Sequence, residues 1–321
     1  MTFEADQIVA RRRLRRQVSY WRAGAIVVAV IAAIAVMSGG EDGAFSKLSD
    51  HVARVRVEGF ISGDEKTLKL FKNIAESNRV KAVILHIDSP GGTTVGAEAV
   101  FEAVRKISQK KPVVAVMNSV AVSGGYATAV AADHVIARGN TITGSIGVIF
   151  QWPDVSQLLN SIGVKVEELK SGELKAEPTP FKPASERVKA VAMQMVGDAF
   201  DWFVTLVAER RHLTVDQVRL LADGRVYTGR QALKVKLIDA IGGEDAAVNW
   251  LASVKSVSKG TPILDWEIEN GFGSTGFGFS ALQGLMRLFG LEGLAHRLDR
   301  VLAGSRVQLD GLLSVWHPDA Q

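Results

Sequence analysis

No cysteine occurs among the 321 residues of this chain. Its absence excludes a disulfide framework, a thiolate nucleophile and a cysteine-based zinc site. Histidine is scarce as well, with six in all, and none falls in an HExxH arrangement. The chain has no P-loop and no GxGxxG following a strand, so metal, nucleotide and dinucleotide chemistry have no motif to rest on, and no cofactor or metal is expected. A cationic surplus on the body of the chain is also missing. Six of the 38 basic side chains, Arg11, Arg12, Arg13, Arg15, Arg16 and Arg22, lie in residues 1–22 with two of the 34 acidic ones, Glu4 and Asp6, and the remainder is balanced. A nucleic-acid binder carries its surplus on the folded domain, so no nucleic-acid partner is expected.

What is present begins with a membrane signal. Directly after the arginines, AGAIVVAVIAAIAVM, Ala23 to Met37, has no charged or strongly polar side chain, with Tyr20 and Trp21 before it and Ser38 after it. The run is near the lower limit for a membrane-spanning helix, and the preceding arginines match the positive-inside rule. A buried core helix or a cleaved signal peptide shares the layout, but the run is long for a signal-peptide core and no clean A-x-A site closes it. The reading is an uncleaved single-pass anchor over residues 23–38. It has a basic cytoplasmic N-terminus, residues 1–22, and a linker, residues 39–51, and the rest of the chain lies outside the inner membrane.

Beyond the anchor the pattern alternates between strands and helices. HVARVRVEGFI alternates as a strand, LKLFKNIAES has helical spacing, KAVILHID reads as a buried strand, VGAEAVFEAVRKISQ as an amphipathic helix and VVAVM as another strand. Repeated β-α-β units imply an α/β fold with a largely parallel sheet covered by helices. SERVKAVAMQMVGDAFDWFVTLVAERR, Ser185 to Arg211, is one long helical stretch. VKVEELK, ending at Lys170, alternates as a further strand.

Active sites in such folds collect where loops leave the carboxyl ends of strands. Two small-residue segments sit there: DSPGGTT, Asp88 to Thr94, and VSGGY, Val122 to Tyr126. Glycines let backbone approach a ligand, and helix N-termini supply outward N–H groups and positive potential, a combination suited to an oxyanion. Ser123, at a strand-to-helix turn, would present its hydroxyl there, as a nucleophile elbow does. Serine is equally a common helix N-cap, and the glycines then merely relieve crowding. A nucleophilic serine needs a base. His86 and His134 are nearest in sequence, yet each lies in or beside an apolar strand and reads as a packed, hydrogen-bonded ring. A lysine made neutral by desolvation is the other route, and the residues alone do not single one out.

Five blocks in order, IDSPGG, VSGGYATAVAAD, TITGSIGV, ELKSGELK and ADGRVYTGRQALKVKLID, resemble the signal peptide peptidase A family of membrane-anchored Ser-Lys peptidases. The resemblance covers about residues 52–253 and implies a peptidase domain over 52–255 with a crotonase/ClpP-like core. It implies Ser123 as nucleophile and Lys175, not Lys170, as base. Ser145 is to position the base, and Gly92 with the Ser123 amide is to form the oxyanion hole. Gly91, Gly124 and Gly125 are to admit the peptide, so that its carbonyl can approach. Thr93 stands where the family often has a third glycine and would narrow the cleft floor. The implied partners are peptide substrates, namely remnant signal peptides and other unfolded apolar segments, membrane lipid, and further copies of the chain. Double-length relatives divide serine and lysine between halves, so a homo-oligomeric ring with shared sites is implied. A crotonase-like acyl-CoA enzyme or a non-catalytic membrane scaffold would share the fold. The C-terminal extension, 256–321, contains the glycine-aromatic segment Phe272 to Phe279 and an amphipathic stretch from Ala281 to Gly304, read as a helix on the domain, on a neighbour or on a membrane surface.

Overall fold

The computed structural model describes residues 18, 20–22, 24, 47, 49–255, 257–268 and 312–315. The chain divides into two units, residues 1–49 with 272–296, and residues 50–271 with 297–321. The expected anchor over 23–38, apart from residue 24, the segment 272–279 and the amphipathic stretch 281–304 lie outside the described residues. Among the described residues one helix, Glu186–Arg211, is long and apolar enough to cross a membrane by length and composition. Its second half buries Phe203, Val204, Leu206 and Val207, which makes that half part of the domain core.

The alternating segment His51–Ile61 forms β1, and the apolar run after it forms β2, Val80–Thr93. Between them Asp64 starts helix α1, Glu65–Glu76, by accepting the N–H groups of Lys66 and Thr67 at 3.0 Å, as a short acceptor at an N-cap does. Helix α2, Thr94–Ser108, leads to β3, Val113–Val122, and β3 to the short helix α3, Gly124–Val130. Strand β4, His134–Ala137, follows. β1, β2, β3 and β4 pair in parallel. Ala82 to Leu85 and Val113 to Met117 are buried on both sides, the pattern of central strands in a parallel sheet. One face is covered by α1 through Phe71 and Ile74, by α2 through Val100, Val104 and Ile107, and by α3. The opposite face packs Val52, Ile84 and Val116 against Ala247 and Leu251. Each such side chain contributes about 1.5–3 kcal/mol by leaving water.

The remaining elements complete the sheet and its helices. They are β5, Ile142–Gly144, β6, Ile149–Phe150, and α4, Ser156–Ser161. Next come α5, Glu186–Arg211, α6, Val215–Leu221, and β7, Val226–Thr228. α7, Gly229–Lys234, β8, Ala240–Ile241, α8, Glu244–Val254, β9, Ile263–Asp265, and β10, Leu312–Val315, complete the series. β5 continues the parallel pairing of β3 beyond β4, and β7 adds antiparallel to β5.

Two segments differ from the sequence reading. DSPGGT is not a loop: β2 runs through it, with Gly91 and Gly92 opposite Phe60 and Ile61 of β1. Register shifts in β1 between Glu58 and Phe60, and in β2 between Ile87 and Ser89, accommodate Pro90, which has no N–H for a ladder. VKVEELK forms no strand, and most of it is exposed. Its alternation lacks a partner edge, and a strand without one is not stable in water.

Candidate active site

Ser123 occupies the one residue between β3 and α3. It holds φ 55° and ψ −121°, a conformation costly for a residue with a side chain, and its hydroxyl makes no capping hydrogen bond to the helix. Capping therefore does not explain the serine. The turn is fixed by the Ser123 N–H, which donates to the Gly144 carbonyl at 2.8 Å, and by the Ser123 carbonyl, which accepts from the Ala127 N–H at 2.9 Å. The first of these corrects an expectation. The Ser123 amide, assigned to the oxyanion hole, instead prolongs the β3–β5 ladder by one bond. The next N–H along, that of Gly124, stands at the first helical position, where no intrahelical acceptor exists.

The glycines are small for reasons of packing as well as access. A Cβ on Gly92 would overlap the Ile61 carbonyl, so β1 and β2 can close at this point only over a bare Cα. One on Gly124 would sit 3.1 Å from the Ala97 Cβ and 3.2 Å from the Gly92 nitrogen, which places the start of α3 beside the end of β2. One on Gly125 would meet the Ser89 carbonyl at 2.9 Å. Gly125 thus faces the chain's own backbone, whereas the sequence reading had it admit the peptide. Gly91 has φ 114°, a region open to glycine. The Thr93 Oγ1 accepts the Gly96 N–H at 2.9 Å and caps α2.

Behind the site, the fully buried Tyr126 donates its hydroxyl to the Leu237 carbonyl at 2.8 Å. Arg211 forks onto Asp239 at 2.7 and 3.0 Å, and Asp239 accepts the Val135 N–H at 2.7 Å. Burial alone would raise the Asp239 carboxyl, but the hydrogen bonds and charge of Arg211, with the Val135 N–H, hold it below the usual carboxylate range. These bonds tie α3, α5 and β4 together.

Ser123 and Ser145 line one cavity of about 420 Å³, whose walls include Ile149, Met193, Val196, Gly197 and Phe200. The walls are mostly apolar, so the space beside the serine suits an aliphatic side chain. Ser145 also stands at positive φ, 49°, with its N–H donating to the Arg225 carbonyl at 2.8 Å. Ser123 and Ser145 thus share one cavity, and Gly91 and Gly92 lie beside Gly124, the residue after Ser123. The sequence reading missed Met193, Val196 and Phe200. Their signal was the apolar first half of the long helix, which carries more exposed methionine and valine than a simple covering helix needs.

Lys175 stands apart. It is exposed, in a turn closed by its N–H to the Gly172 carbonyl at 3.0 Å, and is not among the residues lining the cavity. The other lysine of the block is committed elsewhere: Lys170 lies 2.7 Å from both Glu168 and Glu177, and hydrogen bonds to these carboxylates raise its pKa. A lysine so stabilised in its charged form is a poor proton acceptor. Lys182 adds to Glu177 at 2.6 Å, and the two lysines hold that carboxyl down to about 2. The cluster secures the segments on both sides of Lys175. Burial lowers Lys111, but its amine donates to the carbonyls of Ile74 and Ser77 at the opposite end of β3, so it caps α1 and serves no site.

The histidines read as packed rings are packed rings. His86 bonds Glu244 at 2.7 Å, and His134 stacks on Trp250 at 4.8 Å between centroids. Neither lines the cavity. Among the described residues no group of three or more His, Asp or Glu side chains is placed to hold a metal ion.

The chain is similar to known proteins over most of the described domain. Residues 105–258, which contain Ser123, Ser145 and Lys175, match the model of peptidase family S49. A putative protease of Synechocystis is 35% identical over 67% of this chain and 78% of its own length. A putative signal peptide peptidase SppA of Enterococcus faecium is 35% identical over 66% of this chain and 62% of its own. Protease 4 of Haemophilus influenzae is 32% identical over 68% of this chain and 37% of its own, so this chain spans a little over a third of that relative. A ClpP1 mutant from Listeria monocytogenes superposes over 59% of this chain with a TM-score of 0.41 and 17% identity, a likeness too slight to bear on function. The turn at Ser123, its cavity and these relatives lead to one assignment: the chain is a serine peptidase and belongs to family S49, the family of signal peptide peptidase A.

Proposed function

We propose that the protein is a membrane-anchored endopeptidase in which Ser123 is the nucleophile and Lys175 the general base, acting on remnant signal peptides and other unfolded apolar segments. The observation that carries this reading is the backbone of Ser123, held at positive φ without capping its helix and opening on an apolar cavity. Strain of that kind persists where the surrounding fold over-determines it, and it aims a hydroxyl out of the turn. Lys175 removes the Ser123 proton as Oγ forms a bond to the scissile carbonyl carbon. The oxyanion is held by the N–H of Gly92 and, in place of the Ser123 amide, that of Gly124. Each such donor is worth about 3–4 kcal/mol in the transition state. The C–N bond then breaks, the leaving amine takes the proton from Lys175, and water hydrolyses the acyl-enzyme. Ser145 positions the lysine amine.

The exposed turn of Lys175 supports a site completed by a neighbouring subunit, and a head-to-tail contact of that kind closes naturally into a ring. The arginines and apolar run before residue 40 support single-pass anchoring in a bacterial cell membrane, with the N-terminus cytoplasmic and the domain outside. A fluorophosphonate probe tests the nucleophile: it should label Ser123 in the native protein and leave Ser123→Ala unlabelled. Lys175→Ala should abolish turnover in a folded protein. Labelling elsewhere, or near-normal turnover of Lys175→Ala with loss in His86→Ala or His134→Ala, would replace the assignment with another.

A further inference from the structure

The segment from Glu168 to Lys182 folds about one buried carboxylate. The Glu177 side chain is only 3% exposed, in a stretch where Glu173, Leu174, Lys175 and Ala176 are all exposed. Its Oε1 accepts from Lys170 at 2.7 Å, before the turn that carries Lys175, and lies 2.6 Å from the amine of Lys182, after that turn. Its Oε2 is buried with no partner among the described residues. A buried acceptor left unpaired costs free energy, and stability alone would be served as well by an apolar side chain at this position.

The backbone shows what this carboxylate governs. An extended chain would send the side chains of Lys175 and Glu177 to the same side. Ala176 between them stands at φ 60°, in the left-handed region that a residue with a Cβ enters at a cost, and Lys175 is exposed while Glu177 is buried. Two further ties hold the segment: Glu173 lies 2.6 Å from Arg187 of α5, and the Pro180 carbonyl accepts the Val155 N–H at 2.8 Å. The first is an exposed ion pair, of a kind that contributes little, and the second fixes the chain well beyond the turn. Glu177 joins the chain on both flanks of Lys175. We infer that Glu177, clamped between Lys170 and Lys182, is a positioning residue that fixes the direction in which the Lys175 amine leaves its turn. This rests on Lys175 as the base, proposed above. Glu177 is not among the residues lining the cavity at Ser123, so its effect falls on kcat and not on KM. An ångström of misplacement in a reacting group costs about a hundredfold in rate.

The test is Glu177→Gln in the full-length protein, assayed across pH with a fluorogenic apolar peptide. The amide keeps the shape of the side chain and loses the charge that holds two ammonium groups. kcat should fall roughly ten- to hundredfold with KM changed by less than about twofold. The deficit should persist at the alkaline end of the profile, where a lysine base is neutral whatever its surroundings. Lys182→Met, which frees one side of the clamp, should lose roughly three- to tenfold in kcat, and Glu177→Asp, which keeps the charge, should recover most of it. Glu173→Gln removes a carboxylate at the same distance in sequence before Lys175 and should match the native protein. Native kcat in both Glu177→Gln and Lys182→Met would overturn the inference. So would a Glu177→Gln deficit that vanishes at alkaline pH, or one that Glu173→Gln shares in full. Lys175→Ala in the same assay separates the two levels: turnover retained there overturns the base and the inference together, whereas turnover lost there beside a native-like Glu177→Gln overturns the inference alone.

Discussion

Replacing Gly92 with alanine tests how closely the fold and the oxyanion site depend on each other. The added Cβ would lie 2.5 Å from the Ile61 carbonyl carbon and 2.7 Å from its Cα, besides overlapping the oxygen, whereas ordinary contact begins at 3.4 Å. Relieving the carbonyl carbon alone takes 3.4 − 2.5 = 0.9 Å, and the oxygen lies nearer still, so β2 must retreat from β1 by more than that. Overpacking of this kind costs about 1–3 kcal/mol, or roughly 2–12 °C in Tm for a domain of this size. The larger effect falls on catalysis. If the Gly92 N–H is the oxyanion donor proposed above, a displacement of about an ångström loses about a hundredfold in rate, so kcat/KM should drop by at least about that factor, mostly in kcat. The assay is steady-state hydrolysis of a fluorogenic peptide beside thermal unfolding, with Gly59→Ala as control. Gly59 has φ 68° but open space around its missing Cβ, so the control should lose about 1 kcal/mol of stability and keep its kcat/KM. Equal kcat/KM for Gly92→Ala and the native protein would refute the argument that this Cα sets the oxyanion geometry.

Other outcomes follow from single contacts. Tyr126→Phe leaves the Leu237 carbonyl without its buried donor, so it should destabilise by about 1–3 kcal/mol in urea unfolding with little change in kcat. Asp239 has a depressed pKa in the fold, so its contribution is present above its unfolded value of 3.8 and is lost as pH falls through the lower folded one. Tm should therefore be flat near neutrality and fall below about pH 4, and Asp239→Asn should shallow that acid limb in calorimetry while lowering Tm at pH 7. Gly197, inside α5 with open space at its missing Cβ, should gain about 0.5–1 kcal/mol as alanine. Because it lines the cavity, the same change should raise KM for peptides with large aliphatic side chains more than for small ones.

Much of the fold was legible because its signals are local. The two-sided apolar runs of β2 and β3 and the alternation of β1 leave few options, and Ser185 caps α5 where the helical pattern began, accepting the Val188 N–H at 3.3 Å. The turn at Ser123 was legible too, since a serine followed by two glycines between an apolar run and a helical pattern marks a tight strand-to-helix connection. What escaped was set by pairing between distant segments. The Ser123 N–H goes to Gly144, Gly91 and Gly92 are strand residues because Phe60 and Ile61 lie opposite, and β10 joins from the far end of the chain. None of these partners leaves a mark on the local pattern. VKVEELK failed in the opposite way, with a strand's alternation and no edge to receive it. Lys170, read as a solvated strand end, is held by two carboxylates that lie two residues before it and seven after it.

The most direct test is to combine two inactive proteins. Ser123→Ala and Lys175→Ala, each without turnover alone, should recover partial peptidase activity when co-expressed and purified as mixed assemblies, because some interfaces then join an intact Ser123 to an intact Lys175. Mixed assemblies confirmed by pull-down yet without turnover, or a native enzyme active as a monomer in analytical ultracentrifugation, would contradict a site shared between subunits.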